Sequence, residues 1–362
     1  MCYPQEFFDD PDLQRRGWAE WLSLDDVIFP ERWGQRGPWP IISLSGHSKP
    51  AGDAMRICSL VPSATDILFA LGLGDDIVAV THECDVPPGT RAIAAITRST
   101  LASDTLASRD IDRHVTAAAH GGSSLYLLDH ATLETCNPDL VITQELCEVC
   151  AIGYRQVASA VRRLEDTTTT KRIILSVEPQ TLPQILDAIV RIGEVAGVRD
   201  RAIRLVHDMR DRLDAIGEVA ARSNSRPSVL AMEWLDPPYT AGHWVPEMIR
   251  IAGGQDDLGR HGGFSYQITW DDVARYGPDV LVLMPCSFDL ARTIRDAEPL
   301  SRRPEWQHLP AVQTARVYAV DGGRYFSRHG PRIVDGVAIL GEILHPDLFP
   351  RRAPESTWQR LG

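Results

Sequence analysis

Four cysteines stand at the ends of apolar runs. Cys147 and Cys150 lie in "QELCEVCAIG", three positions apart and directly after "PDLVIT"; Cys84 follows His82 and Glu83 in "HECDVP"; Cys286 follows "VLVLMP". A CxxC pair can clamp a metal, cycle as a redox couple or pack beneath the start of a helix. Four thiolates, or thiolates with His82 or His243, form a soft donor set of the kind that holds zinc or an iron–sulfur cluster. Cys58 and Cys136 lie within and before apolar runs and read as packing, and Cys2 completes an odd total of seven. An odd, scattered set fits thiols or metal ligands in a reducing compartment better than a disulfide framework.

Two carboxylates repeat the same placement. Glu178 and Glu233 close the apolar runs "RIILSV" and "PSVLAM". Facing one another across a cleft, they could do acid and base work with His243, or hold a cation. His82 and His243 could be ligands or hydrogen-bond donors. Arg328, in "YFSRHGPR", could meet a carboxylate or phosphate, or cap a turn. No nucleophile motif or phosphate loop is present, and "GLGDD" has the spacing of neither glycine fingerprint.

Elements that could position these residues are visible as alternating β-rich and helical stretches, the pattern of parallel sheets with crossover helices. The runs 56–61, 76–81, 139–143 and 172–177 form a first set, and 227–234, 279–285 and 315–321 a second. "SATDILFALGL" reads as a helix with a Ser or Thr cap, and "ASAVRRLEDT" as another. From Leu182 to Ala221, apolar residues recur three or four apart, with Gly193 and Gly197 as dividers, giving a shorter helix and then a long one. The expected fold is α/β: two Rossmann-like lobes with parallel sheets, joined by a long interlobe helix, with a ligand cleft between them. The expected boundaries are a Trp-rich extension at 1–54, a first lobe at 55–180, a helical segment at 181–225, a second lobe at 226–350 and a tail at 351–362. In such sheets ligands bind beyond the carboxyl ends of the strands, where nearly all of these unusual residues fall.

Composition excludes several classes. The 362 residues are 44% hydrophobic, enough for a large core. A formal net charge of −12 argues against nucleic acid and against an anionic membrane surface. No run suits a membrane span, and "MCYPQEFFDDPDLQRRGW" lacks the basic start and apolar segment of a secretory signal, so a cytoplasmic location is expected.

Taken in order, "SLVPSATDILFALGLGDDIVAVT", "NPDLVIT", "PPYTAGHWVPEMIRIAGG", "ITWDDVARYGPDVLVLMP" and "VYAVDGGRYFSRHGPRIVDG" resemble the periplasmic binding proteins for vitamin B12 and iron chelates, the cobalamin branch above all. The likeness runs from about residue 56 to 345. It implies a cobalamin or related metal chelate as ligand, captured reversibly between two lobes. By position it places on one side Pro62, Ser63, Ala64 and Thr65, then His82 and Glu83, then Gln144. The other side would offer Tyr239, Trp244, Phe264, Tyr266, Tyr325 and Phe326 to cover a flat ring, with Glu178, Glu233, His243 and Arg328 as polar anchors. The resemblance also implies an acidic docking residue on each lobe for a membrane transporter. The matching positions are Ala131 and Asp271, so one is missing and docking is put in doubt. The leading expectation is a small-molecule-binding protein. Its alternative is a metal- or iron–sulfur-dependent enzyme on the same fold, using Cys84, Cys147, Cys150 and Cys286 with Glu178, Glu233 or His243 as acid or base.

Overall fold

The computed structural model describes residues 41–43, 55–101, 103–121, 125–144, 154–167 and 172–361. The first sheet takes β1 (Ile41–Ser43), β2 (Ile57–Ser59), β3 (Ile77–Val80), β4 (Ala94–Ala95), β7 (Leu140–Thr143) and β8 (Ile173–Ser176), in the order β1-β8-β7-β2-β3-β4. All of its pairings are parallel except β1 with β8. Between β4 and β7 the chain forms a two-stranded antiparallel ribbon of β5 (Thr97–Ser99) and β6 (Tyr126–Leu128). The second sheet runs β10-β9-β11-β12-β13, with β9 (Val229–Leu235), β10 (Pro238–Thr240), β11 (Val280–Leu283), β12 (Val317–Val320) and β13 (Trp358–Arg360). Its centre is parallel, and β10 and β13 are antiparallel.

Strand alternation explains how each sheet is covered on both faces. Ile57, Leu140, Ile142 and Leu175 enter the main core, whereas Cys58, Val141 and Ile174 enter a separate one on the opposite face. In the second sheet Val229, Ala231, Val280 and Val282 share the main core, while Leu230, Met232, Leu281 and Leu283 pack with Trp270 and Trp306 on the far side. The main core therefore runs continuously through both lobes. Cys58 is fully buried and its thiol is pushed up by burial, consistent with packing.

Among the described residues the longer helices are α1 (Pro62–Ala70), α2 (Ser108–Gly121), α3 (His130–Cys136), α4 (Tyr154–Thr167), α5 (Leu182–Val195), α6 (Arg199–Ala220), α7 (Val245–Ile251), α8 (Trp270–Tyr276), α9 (Leu290–Ala297) and α10 (Ile333–Leu344). The 182–221 stretch divides as expected: Gly197 takes φ +74, a left-handed turn open to glycine, and ends the shorter helix before the long one. In α6, a helix about 33 Å long, Ala202, Val206, Met209 and Leu213 form a buried stripe. Glu247 of α7 reaches back and accepts from the Leu182 N–H at 3.1 Å, placing a second-lobe carboxylate at the N-terminus of α5.

Three local expectations are corrected. Helix α1 has no side-chain cap: Val61 stands at the N-cap and Pro62 at the first turn, where its missing N–H costs nothing. Residues 41–43 of the N-terminal extension add a strand to the first sheet. The segment after residue 350 is not a free tail, because β13 pairs with β12 and the buried Glu342 accepts from Arg352 N, Ala353 N and Trp358 Nε1 at 2.7–3.0 Å.

Candidate binding site between the lobes

Helix α1 begins at the carboxyl end of β2, and its first turns bury three polar side chains, Ser63, Thr65 and Asp66. Ser63 Oγ lies 2.9 Å from His329 Nε2 of the second lobe. Thr65 donates to Ser59 Oγ at 2.8 Å and shares a hydrogen bond with the Cys84 thiol at 2.9 Å. Asp66 stands 3.4 Å from Arg332 and 3.9 Å from Arg328. Burial still raises its carboxyl above the usual range, outweighing the pull of Arg332 and then Arg328. Arg328 continues along the first lobe, pairing with Asp85 at 2.7 Å and donating to the Glu83 carbonyl at 3.1 Å. Ala64 packs in the main core.

His82 is anchored in its own lobe. Its Nδ1 lies 2.7 Å from Thr97 Oγ1, its Nε2 lies 3.5 Å from Glu83, and its ring tilts against Tyr126 at 5.5 Å. Gln144 is half-buried at the carboxyl end of β7, and Glu178 accepts from Ser176 Oγ at 2.7 Å.

On the second lobe, Glu233 is half-buried and accepts from the Gly242 N–H at 3.0 Å. Burial lifts its carboxyl to about 7. His243 has φ +53, and its backbone is held by Gly263 and Gly262; its ring stands edge-on to Phe264 at 5.3 Å. Burial holds His243 down to about 4 and His329 to about 3, so both imidazoles are neutral at physiological pH. Trp244 and Phe326 lie in the main core, Trp244 donating to the Phe326 carbonyl at 2.9 Å. Tyr325 packs at its edge, and Tyr266 donates to the Leu258 carbonyl at 3.0 Å beneath the Arg260 guanidinium.

A further junction was not foreseen. Helix α2 extends from the β5–β6 ribbon of the first lobe onto the carboxyl end of the second sheet. There Ile111 and Val115 pack with Trp234, Tyr239 and Phe288, joined by Leu101, Leu106 and Leu125. Around this apolar patch Trp234 Nε1 donates to the Ser108 carbonyl at 3.2 Å, and Ser108 Oγ donates to Asp296 at 2.8 Å. Arg292 donates to the Leu106 carbonyl at 2.8 Å, Tyr239 hydrogen-bonds Asp112, and Arg109 pairs with Asp236 at 3.0 Å. Sequence reading passed over Trp234, though it sits beside Glu233, because its partners come from a segment more than a hundred positions earlier.

The expected metal set does not come together among the described residues. Cys147 and Cys150 lie outside them, and Cys84 and Cys286 join no group of three or more His, Cys, Asp or Glu placed to hold a metal ion. Burial lifts the Cys84 thiol to about 11, so it stays protonated. Among the described residues no helix is long and apolar enough to cross a membrane.

Residues 57–322 match the family described as Periplasmic binding protein. An uncharacterised ABC transporter substrate-binding lipoprotein, YvrC of Bacillus subtilis, is 27% identical over 300 residues, covering 81% of each chain. The vitamin B12-binding protein of Vibrio cholerae is 24% identical over 295 residues, covering 78% of this chain and 87% of its own. Among solved structures, the periplasmic heme-binding protein RhuT of Roseiflexus superposes with a TM-score of 0.60 at 21% identity, covering 82% of this chain and all of RhuT. The cytoplasmic location is thereby overturned: a lipoprotein and periplasmic proteins point outside the cytoplasm. The relatives give the enzyme alternative, zinc and iron–sulfur no support.

Proposed function

Because the chain belongs to the periplasmic binding protein family, we propose that it captures a planar metal chelate, a corrinoid or heme, in the cleft between its lobes. The observation that carries this reading is the aromatic wall of Trp234, Tyr239 and Phe288 at the carboxyl end of the second sheet. Ligands of open parallel sheets collect at that end, and aromatic faces bury flat apolar rings. Arg328 and Arg332, at the polar contact with α1, supply cationic donors, and the neutral His243 is in the protonation state that can coordinate a metal centre. His82, Glu83, Gln144, Glu178 and Ser63 are the facing contacts from the first lobe, with Glu233 and Phe264 from the second.

The relatives' names support delivery to an ABC transporter. Asp271, exposed in the first turn of α8, offers an acidic contact on the second lobe. On the first, Ala131 offers none, and Asp129, the N-cap of α3, is the adjacent carboxylate.

Titration of the purified chain with cyanocobalamin and with hemin, followed by absorbance and calorimetry, tests the reading. Stoichiometric binding of at least one is expected, weakened about tenfold or more in Arg328→Met through loss of a charge-assisted contact. Failure of both to bind sinks it.

A further inference from the structure

Helix α2 occupies the place where the proposed ligand would lie, and we infer that it is a displaceable lid whose apolar stripe stands in for the ligand's ring. This inference rests on the binding function proposed above. Three observations carry it.

The first is position. The carboxyl end of a parallel sheet is where an α/β fold presents its binding surface. In the second lobe that surface is covered by Ile111 and Val115, only 6% and 7% exposed, seated on Trp234, Tyr239 and Phe288.

The second is chemistry. The polar groups around the patch are the second lobe's own donors: the Trp234 indole N–H, the Arg292 guanidinium and the Tyr239 hydroxyl. In this structure they are satisfied by two backbone carbonyls and the Asp112 carboxylate of the lid segment. A flat ring with acceptors at its rim, carboxylates or amides, meets the same demands at once. The helix thus presents an apolar face edged with acceptors, which is the pattern of the ligand class itself.

The third is attachment. The apolar residues around α2 from its own lobe are Leu101, Leu106 and Leu125 of the connecting chain, and its mount is a ribbon of two three-residue strands. The ribbon stays tied to the first lobe through Thr97 and Tyr126, so α2 can swing from it as a unit without unfolding either sheet. Exchange of lid for ligand keeps the aromatic wall covered in both states. The apolar surface is never left in water, and the cost of opening is set against contacts of the same kind.

The test is a staple. In Ser108→Cys/Asp296→Cys, oxidation would lock the lid across its 2.8 Å contact. With cyanocobalamin or hemin as probe, whichever the unaltered chain binds, the oxidised variant is expected to associate about a hundredfold more slowly. Reduction by a phosphine restores the rate, and the same phosphine leaves the unaltered chain unchanged. Ile111→Asp/Val115→Asp, which weakens the lid, should associate about tenfold faster than the unaltered chain. An oxidised variant that binds as fast and as tightly as the unaltered chain overturns the inference. If neither the unaltered chain nor the weakened-lid variant binds either probe, the proposed function fails, and the lid is judged without ligand by hydrogen exchange. Amides of α2 exchanging about a hundredfold faster than those of α6 support local opening, whereas protection equal to that of α6 overturns it.

Discussion

Beyond the core they share, the two lobes meet at α1 and at α2 by opposite chemistry. At α1, Ser63, Asp66 and Asp85 meet His329, Arg332 and Arg328 through hydrogen bonds and ion pairs. At α2, Ile111 and Val115 meet Trp234, Tyr239 and Phe288 through apolar burial, with polar contacts only at the margin. The polar bridge is directional: its donors need acceptors at fixed positions, so it sets the register of one lobe against the other, but burying its charges consumes most of what their attraction returns. Asp66 shows the balance, since two arginines do not bring its carboxyl down to an ordinary value. The apolar bridge has little directional demand and little response to salt or protons. One contact is tunable and the other is robust, so salt and protons act mainly at the α1 contact.

Trp234→Ala strikes the apolar bridge at its centre, removing an indole that is 3% exposed, and should lower unfolding stability by about 3–5 kcal/mol in urea titrations. That deficit should be the same in low and high salt; a deficit that shrinks with salt would break the contrast. Arg328→Met strips the polar bridge, leaving Asp66 to Arg332 alone, and should cost about 3 kcal/mol, much of it recovered when Asp66→Asn is added.

His329 sharpens the contrast through pH. Its imidazole titrates near 3 when folded against 6.5 when free, so between those values the unfolded chain binds a proton that the native one refuses. Stability from this group therefore falls as pH drops below about 6.5, by on the order of 2 kcal/mol at about pH 5. His329→Asn should flatten that slope in melting curves, leaving a residue of the same sign from His243. Arg109→Ala is the smallest change: its pair with Asp236 is exposed at the margin of the apolar bridge, and no measurable shift in Tm is expected.

The sheets were legible because the central strands are mostly apolar runs ending at loops of unusual residues, and α6 because its apolar stripe repeats over several turns. The bridges were not, for a physical reason. Ser63 and His329 are 266 positions apart, and neither residue type declares a partner. Ile111, Val115 and Ala118 form a visible stripe on α2, but a stripe only says that a helix is covered, not which lobe covers it. Trp244 and Phe326 looked like ring-covering aromatics and are core residues here, since composition cannot separate an aromatic that faces a cleft from one just beneath it. The short β1 and β13 escaped notice because three residues carry no periodicity.

Those short strands have a consequence for how the molecule behaves in company. The outermost strands are β1 and β4 in one sheet and β10 and β13 in the other, and none exceeds three residues. An exposed strand edge is a template on which a neighbouring chain can crystallise its own backbone into a growing stack. Here the described edge strands offer such a neighbour a landing strip of two or three residues. With the longer strands in the middle of each sheet, a growing stack would find little backbone at the described edges on which to start.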